Sequence, residues 1–271
     1  MHRYIEILGT FLAASLSRDM TFRVNFLVEC LTSMAWMAMN LAFYLLVFSY
    51  TPEIGAGSGW TREPFFMFIG TGLIINAIVQ AIFMPSAEEF AEMVRTGGLD
   101  TALVKPIDAQ FLLSLHRFNF SSLANGLVGL VLVAWGAWRH GPLPLAALIL
   151  YPLCISCGVA ILYSFITVLA AATVSLGRNQ SLYDFWFTIT NFSRYPAEIY
   201  AGPWGGPLRA MCTFVIPILL VVNVPARVVA QPLTGASGWG VGGMLFATLT
   251  SLAVSRWTFQ WALDRYRSAS S

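Results

Sequence analysis

The sequence predicts an all-α integral membrane protein that forms a single transmembrane domain over residues 1–271. Of these 271 residues, 57% are hydrophobic and only 10% are charged, whereas soluble domains carry about 25% charged residues. The mean hydropathy is +0.70. A surface with so few charges must contact lipid, and in lipid an α-helix satisfies its backbone hydrogen bonds internally.

Residues 1–21 precede the long apolar runs and predict an interfacial helix. Its apolar and polar residues fall on separate faces: Ile5, Leu8, Leu12 and Leu16 on one, and His2, Glu6, Thr10 and Ser17 on the other. This pattern is typical of a helix that lies flat on the membrane surface. A helix packed against the bundle would show almost the same pattern, so both placements stay open.

Six membrane-spanning helices and one re-entrant hairpin are predicted next. A helix needs about 20 apolar residues to cross the hydrocarbon core, and five runs meet this length: 26–48, 65–84, 118–138, 145–176 and 240–261. Prolines and charged residues interrupt the remaining apolar stretch. We therefore predict a fifth span within 177–200 and a hairpin over 201–230, because 208–222 offers only about 15 residues. The other predicted boundaries are spans 1 and 2 in 22–84, a cytosolic loop at 85–117, spans 3 and 4 in 118–176, span 6 at 239–262 and a cytosolic tail at 263–271.

Both termini are predicted to lie in the cytosol. This orientation places ten Arg and Lys residues inside: Arg3, Arg18, Arg23, Arg95, Lys105, Arg117, Arg178, Arg256, Arg265 and Arg267. It places five outside: Arg62, Arg139, Arg194, Arg209 and Arg227. Cytosolic loops carry an excess of Lys and Arg, so the reverse orientation would violate the positive-inside rule.

The chain is too short outside the membrane to hold a motor of its own. An ATP-hydrolysing domain needs on the order of 100 to 200 residues, whereas the longest predicted loop has about 30. The sequence also lacks a G-x-x-x-x-G-K-[ST] phosphate-binding loop. We therefore predict no cofactor in this chain, and any ATP and Mg²⁺ would be bound by a partner subunit.

The sequence gives no support for a metal, catalytic or nucleic-acid site. Cys154 and Cys157 have metal-ligand spacing, but they lie in an apolar run without a nearby His or carboxylate. The three histidines, His2, His116 and His140, fall in separate segments. The basic residues are scattered and the net charge is only +2, which argues against a nucleic-acid surface.

The loop at 85–117 predicts a short amphipathic helix followed by a second helical turn over 100–104. Ser86 is placed to cap the first helix, and Gly97 and Gly98 are placed to end it. Apolar residues share one face and charged residues the other: Phe90, Met93 and Val94 against Glu88, Glu92 and Arg95. An apolar knob on a charged background favours a surface that another protein binds. A solvated loop is the alternative.

Polar residues within the spans form three stripes. They are Asn25, Glu29, Thr32, Trp36 and Asn40 in the first span, Gly72, Asn76 and Gln80 in the second, and Asp184, Thr188, Asn191 and Tyr195 in the fifth. Because polar side chains are costly in lipid, such stripes face the bundle interior or a cavity. They either line a translocation path or only join helices by hydrogen bonds. The candidate path residues are Asn40, Asn76, Gln80, Thr188 and Asn191.

Three segments of the chain resemble the permeases of ABC-2-type transporters. They are VRTGGLDTALVKPIDAQFLLSLHRF (94–118), RYIEILGTFLAASLSRDMTFRVNFLVE (3–29) and RYPAEIY (194–200). More narrowly, the chain is similar to a bacterial subfamily in which an R-x-G-x-L-D-x-x-L-x-K-P-like loop follows the second span. This copy has Thr-Gly-Gly where a simpler R-G-E/D-L-type run is expected.

The resemblance implies a homo- or heterodimer of permeases, bound to two ABC ATPase subunits, in the bacterial inner (cytoplasmic) membrane. It implies that the loop after the second span carries the coupling helix that docks on the ATPase, and that 203–225 is the outer re-entrant hairpin. The residues implied in docking are Glu88, Glu89, Phe90, Glu92, Met93, Val94, Arg95, Asp100 and Lys105.

The missing motor and the resemblance together predict a permease subunit of an ATP-driven transporter that exports a hydrophobic or amphiphilic substrate and is not itself an enzyme. A nucleotide-independent channel or scaffold subunit is the alternative. The aromatic content of 14% fits such a substrate, although aromatic belts at the membrane interfaces account for part of it.

Overall fold

The structure is a computed structural model that describes residues 2–266 except 56, 105–106, 142, 177–180 and 232–234. The described residues are helical almost throughout, and they contain no β-strand beyond an isolated bridge between Glu53 and Thr61. The all-α fold is therefore confirmed.

The helices follow one another with short connections. In chain order they are α1 (His2–Thr21), α2 (Arg23–Tyr50), α3 (Arg62–Ile82), α4 (Met84–Thr96), α5 (Leu99–Leu103), α6 (Ala109–Ser114), α7 (Leu123–His140), α8 (Leu145–Leu176), α9 (Ser181–Asn191), α10 (Gly205–Ala210), α11 (Ile218–Ala230) and α12 (Gly235–Arg265). Single 3₁₀ turns cover Phe120–Ser122, Phe192–Arg194 and Ala197–Tyr200, and a π-helical turn covers Met211–Val215.

Five of the described helices are long and apolar enough to cross a membrane: Arg23–Tyr50, Arg62–Thr96, Phe120–His140, Leu145–Val174 and Gly238–Arg265. Their positions agree with the predicted spans 1 to 4 and 6. The second of them joins α3 and α4 and has 35 residues. Since roughly 20 residues cross the hydrocarbon core, part of this helix extends beyond that core.

The predicted fifth span is only in part a regular helix. α9 has 11 residues and continues as a 3₁₀ turn to Arg194, which is shorter than the roughly 20 residues of a regular span. Trp186 packs beside Phe165 of α8, and Glu198 accepts a hydrogen bond from Trp60, just before α3. The chain therefore still leads from the end of α8 to the opposite end of the bundle. The predicted residues 177–180 lie outside the described part of the chain.

The stretch predicted as a re-entrant hairpin is a sharply bent helix pair. Gly205–Val215 and Ile218–Ala230 meet at 87° across a short break. Arg209 of the first arm and Gln231, just after the second, line one cavity together with Gly57. Both arms thus reach the same end of the bundle, as in a re-entrant segment.

The first and last helices lie at the end of the bundle that carries α4. Arg18 of α1 donates a hydrogen bond to the carbonyl oxygen of Phe118. Phe259 of α12 packs on Phe90 of α4, with 5.7 Å between the ring centroids. The two ends of the described chain are therefore on the same side, as an even number of crossings requires.

α1 shares the properties of both placements that the sequence left open. Ser15 is buried against the loop before α7, and Phe11 packs against the ring of His116. Ile5 and Leu16 are exposed. One face of the helix therefore packs on the bundle, and apolar side chains of another face are left uncovered.

Glycines bring α3 and α7 into backbone contact. A Cβ atom built on Gly129 would lie 2.6 Å from the carbonyl oxygen of Gly70, and one built on Gly70 would lie 2.7 Å from the carbonyl oxygen of Gly129. Small residues at such positions allow two membrane helices to approach closely. Phe65, Phe68 and Ile75 of α3 are fully buried, so this contact fixes the central helix of the bundle.

Candidate functional site

α4 follows α3 directly and ends at Gly97, which has a left-handed φ of 77°. The residue at its N-cap is Phe83, without a side-chain cap, so the prediction that Ser86 caps the helix is wrong. Ser86 instead donates a hydrogen bond to the carbonyl oxygen of Arg117 and accepts one from its backbone N–H, both at 2.9 Å. This pair of bonds ties the start of α4 to the segment before α7.

The apolar face of α4 packs on the bundle. Phe90 is only 1% exposed and contacts Phe259 of α12, and Met93 and Val94 are partly buried against the same core. Phe90 is therefore not part of an exposed knob for the ATPase, contrary to the prediction, while Met93 and Val94 stay partly exposed. Periodicity identified the apolar face of the helix, but α12 of the same chain covers it.

The charged face of α4 is open. Glu88 and Arg95 are exposed, and Glu89 and Glu92 are partly exposed. The Arg95 guanidinium binds the Glu92 carboxylate through both oxygens, at 2.8 and 2.5 Å, and Glu89 lies 3.2 Å from the ring of His116. Three acids and one base thus face outward at the end of the bundle where the chain begins and ends.

The other two residues of the predicted docking set are described less fully. Asp100 is partly buried in α5. Lys105 lies outside the described residues. The structure therefore brings Glu88, Glu89, Glu92 and Arg95 together on one surface and says nothing of Lys105.

An ion pair that the sequence did not reveal fastens the loop to the last span. Asp108 caps α6 by accepting a hydrogen bond from Phe111 N–H at 3.0 Å. Arg256 of α12 binds the same carboxylate at 2.6 Å and Gln110 at 2.9 Å. The Arg256 guanidinium holds the pKa of Asp108 below its usual value, so the pair stays ionised and is lost only as the pH falls through that lowered pKa.

Residues 117–121, just before α7, form a junction between the loop and the first two helices. Ser15 Oγ accepts the backbone N–H of Phe118 at 3.1 Å, and Asp19 accepts that of Phe120 at 3.2 Å. Ser121 Oγ donates to Glu29 of α2 at 2.7 Å. Because Ser86 binds Arg117, α1, α2 and α4 are all bonded to this junction. The contacts from α1 and α2 join residues about a hundred positions apart, and no sequence pattern marked them.

A cavity of about 260 Å³ lies between α2, α3 and α9. Asn40, Asn76 and Gln80 line it, so the structure brings together three of the five candidate path residues. Thr188 and Asn191 do not line it, and Thr188 is exposed and bonded to the carbonyl oxygen of Asp184. Four polar residues that the sequence analysis did not select take their place: Asn125, Thr190, Ser193 and Arg194.

The stripe predicted in the fifth span does not line the cavity, because the positions of α9 that face the cavity are shifted along the helix. In α9 they are Trp186, Phe187 and Thr190, followed by Ser193 and Arg194 in the 3₁₀ turn, whereas the predicted stripe counted from Asp184. The helix tightens into a 3₁₀ turn at Phe192, which changes the register of the last positions.

A family model described as an ABC-2 family transporter protein matches residues 34–270. The chain belongs to the ABC-2 transporter family. It is a multi-pass membrane protein, and the resemblance inferred from its loop and terminal segments is confirmed at the level of the family. No curated protein and no solved structure matches the chain.

Two further cavities open at the ends of this ABC-2 permease. One of about 460 Å³ lies near α4 and is lined by Arg18, Glu29 and Arg117 among others. One of about 900 Å³ lies at the opposite end, where His140 and Arg209 line it. The central cavity is lined by residues of the stripes predicted in the first two spans: Trp36 and Asn40 of the first, and Gly72, Asn76 and Gln80 of the second.

The permease shows no grouping of metal ligands in the residues that the structure describes. Cys154 and Cys157 are free and buried in α8, where they act as small apolar side chains. What the described arrangement offers is a charged surface at one end, a cavity among the spans and a bonded junction that connects the two.

Proposed function

We propose that this ABC-2 permease is the membrane subunit of an ATP-driven exporter, powered by a separate ATPase subunit that binds ATP and Mg²⁺. The observation that carries the proposal is the position of α4, whose apolar face is buried on α12 while Glu88, Glu92 and Arg95 face outward. A helix fixed to the bundle on one side and charged on the other suits a rigid contact for a motor.

The bonded junction offers a route from that contact to the cavity. Displacement of α4 would pull on Arg117 through Ser86 and then on α2 through the bond between Ser121 and Glu29. No residue of α2 is buried within the chain. A helix with so little packing is free to move as a body, and Asn40 on α2 forms one wall of the central cavity.

The same exposure of α2 supports a paired assembly. Exposed large apolar side chains run along its length: Leu27, Leu31, Met34, Met39, Phe43 and Leu46. In a bilayer they contact either lipid or a second permease. We propose a dimer of permeases, identical or similar, bound to two ATPase subunits in the inner membrane of a bacterium, with both termini in the cytosol.

ATP-driven transport by membrane vesicles tests this function, with variants of the cavity as the structural readout. Replacing Asn76 and Gln80 with Leu removes two amides from the wall, so we expect export to fall at least tenfold while the ATPase still co-purifies. The control is Thr188→Val. Thr188 lies outside the cavity, so this variant should transport normally.

Other outcomes separate the alternatives. Loss of transport in the control as well would show that the cavity is not the path. Movement of solute that is indifferent to ATP would favour a channel, and a protein that binds partners but moves no solute would favour a scaffold.

A further inference from the structure

The central cavity contains one charged side chain. Of its eighteen described lining residues, Arg194 alone is charged, and none is acidic. The remaining polar groups are neutral amides and hydroxyls, including Asn40, Asn76 and Thr190. The cavity thus has a positive charge with no negative counterpart in its wall.

Arg194 also lacks a partner elsewhere in the described chain. Two other arginines show what a pairing looks like in this chain: Arg227 binds Glu198, and Arg256 binds Asp108. Glu198 lies four positions from Arg194, but it is engaged by Arg227 and by the indole N–H of Trp60. Arg194 is held only over the ring of Phe187, with 5.4 Å from its guanidinium carbon to the ring centroid.

The Arg194 side chain is exposed in the described chain, so its guanidinium is open to a ligand, and charged residues of membrane proteins commonly mark a substrate path. The guanidinium presents a planar set of donors that matches a carboxylate or a phosphate. An anionic group bound there would supply the missing counter-charge. A cationic group would meet uncompensated repulsion.

The rest of the wall suits a flat apolar body with a few hydrogen-bonding groups. Aromatic rings of three helices line it: Trp36 and Tyr44 of α2, Phe68 of α3, and Trp186 and Phe187 of α9. The amide oxygen of Asn125 is buried without a hydrogen-bond partner among the described residues, so a ligand donor would satisfy it. At about 260 Å³ the cavity is below the roughly 300–1,000 Å³ of drug-sized sites, and it would hold a small ring system.

We infer that this permease selects anionic amphiphiles with an aromatic or apolar body, and that Arg194 determines the preference. The inference rests on the proposed function, because it names the substrate class of that transport path. It narrows the hydrophobic or amphiphilic substrate that the sequence predicted, and it excludes lipophilic cations as preferred cargo.

Two matched probes test the inference. Both carry a naphthalene ring on an ethyl chain, a body small enough for the cavity, and they end in a carboxylate or in a trimethylammonium group. Their binding is measured to the full-length permease, with any subunit that co-purifies, in nanodiscs of neutral phospholipid, with empty nanodiscs subtracted and nucleotide absent. We expect the carboxylate probe to bind at least tenfold more tightly than the ammonium probe.

Variants assign that preference to one side chain. Arg194→Lys should keep the preference, Arg194→Gln should abolish it, and Arg194→Glu should reverse it. Arg139→Glu is the matched control, since Arg139 stacks on Trp138 at the end of α7 and does not line the cavity. If Arg194→Glu fails to fold, Arg194→Gln still shows whether the preference depends on the charge of Arg194.

Equal binding of the two probes, or a preference that survives in Arg194→Gln, would overturn the inference. A preference lost equally in the Arg139 control would overturn it too. Because binding is measured without nucleotide, these results do not depend on the motor. A permease that prefers the carboxylate probe but shows no ATP-driven export would refute the proposed function and leave the binding preference standing.

Discussion

Reversing the charges on the open face of α4 should abolish ATPase binding and leave the permease folded. The variant is Glu88→Lys with Glu92→Lys, which changes two outward carboxylates into ammonium groups. Neither side chain is part of the buried core, so insertion and thermal stability should stay close to those of the native chain. Like charges that face each other across an interface cost several kcal/mol. We therefore expect the permease to bind the ATPase at least a hundredfold more weakly, which corresponds to about 3 kcal/mol.

Affinity purification of the tagged permease measures this loss directly, with ATP-driven transport measured on the same membranes. The control is Glu63→Lys, an acid in the first turn of α3 at the opposite end of the bundle, which should keep the ATPase bound. Normal recruitment by the double variant would mean that α4 is not the docking helix.

Replacing Gly129 with Leu should prevent the bundle from folding. Its first side-chain atom would lie 2.6 Å from the backbone oxygen of Gly70 and 2.9 Å from Leu73 Cβ. No rotamer relieves a clash with backbone, so α3 and α7 would have to separate. Overpacking commonly costs 1–3 kcal/mol, and separation of the central helix pair adds the loss of its packing. We expect little monodisperse protein and a melting temperature far below that of the native chain.

Size-exclusion chromatography and thermal melting in detergent check this outcome. Gly242→Leu is the matched control, because a Cβ at Gly242 in α12 meets no atom within 4 Å and that helix also crosses the membrane. If Gly129→Leu melts like the control, the close contact between α3 and α7 does not fix the core.

The spans were predictable because each one is a local property of the sequence. A run of about 20 apolar residues predicts a crossing helix with no knowledge of its neighbours. The five helices that the structure shows to be long enough lie where such runs lie. The broken stretch was also predictable as broken, since several prolines and charged residues fall close together in it and a proline removes a backbone hydrogen bond from a helix.

The functional residues were less predictable because they depend on partners far along the chain. The pattern around Phe90 gave an apolar face, but only the fold shows that Phe259 covers it. The bonds of Ser15 and Asp19 to the junction before α7 join segments that share no motif. Arg194 was counted among the outer basic residues, and no sequence pattern indicated that it would also line the central cavity.

The claim that this permease is powered by a separate ATPase has a direct test. ATP hydrolysis and transport are measured with and without the subunit that co-purifies. The isolated chain, which has no phosphate-binding loop, should neither hydrolyse ATP nor accumulate solute in vesicles. The complex with its ATPase should do both, and transport should stop when the ATPase is inactivated. Hydrolysis by the isolated chain, or transport that continues without nucleotide, would contradict the assignment.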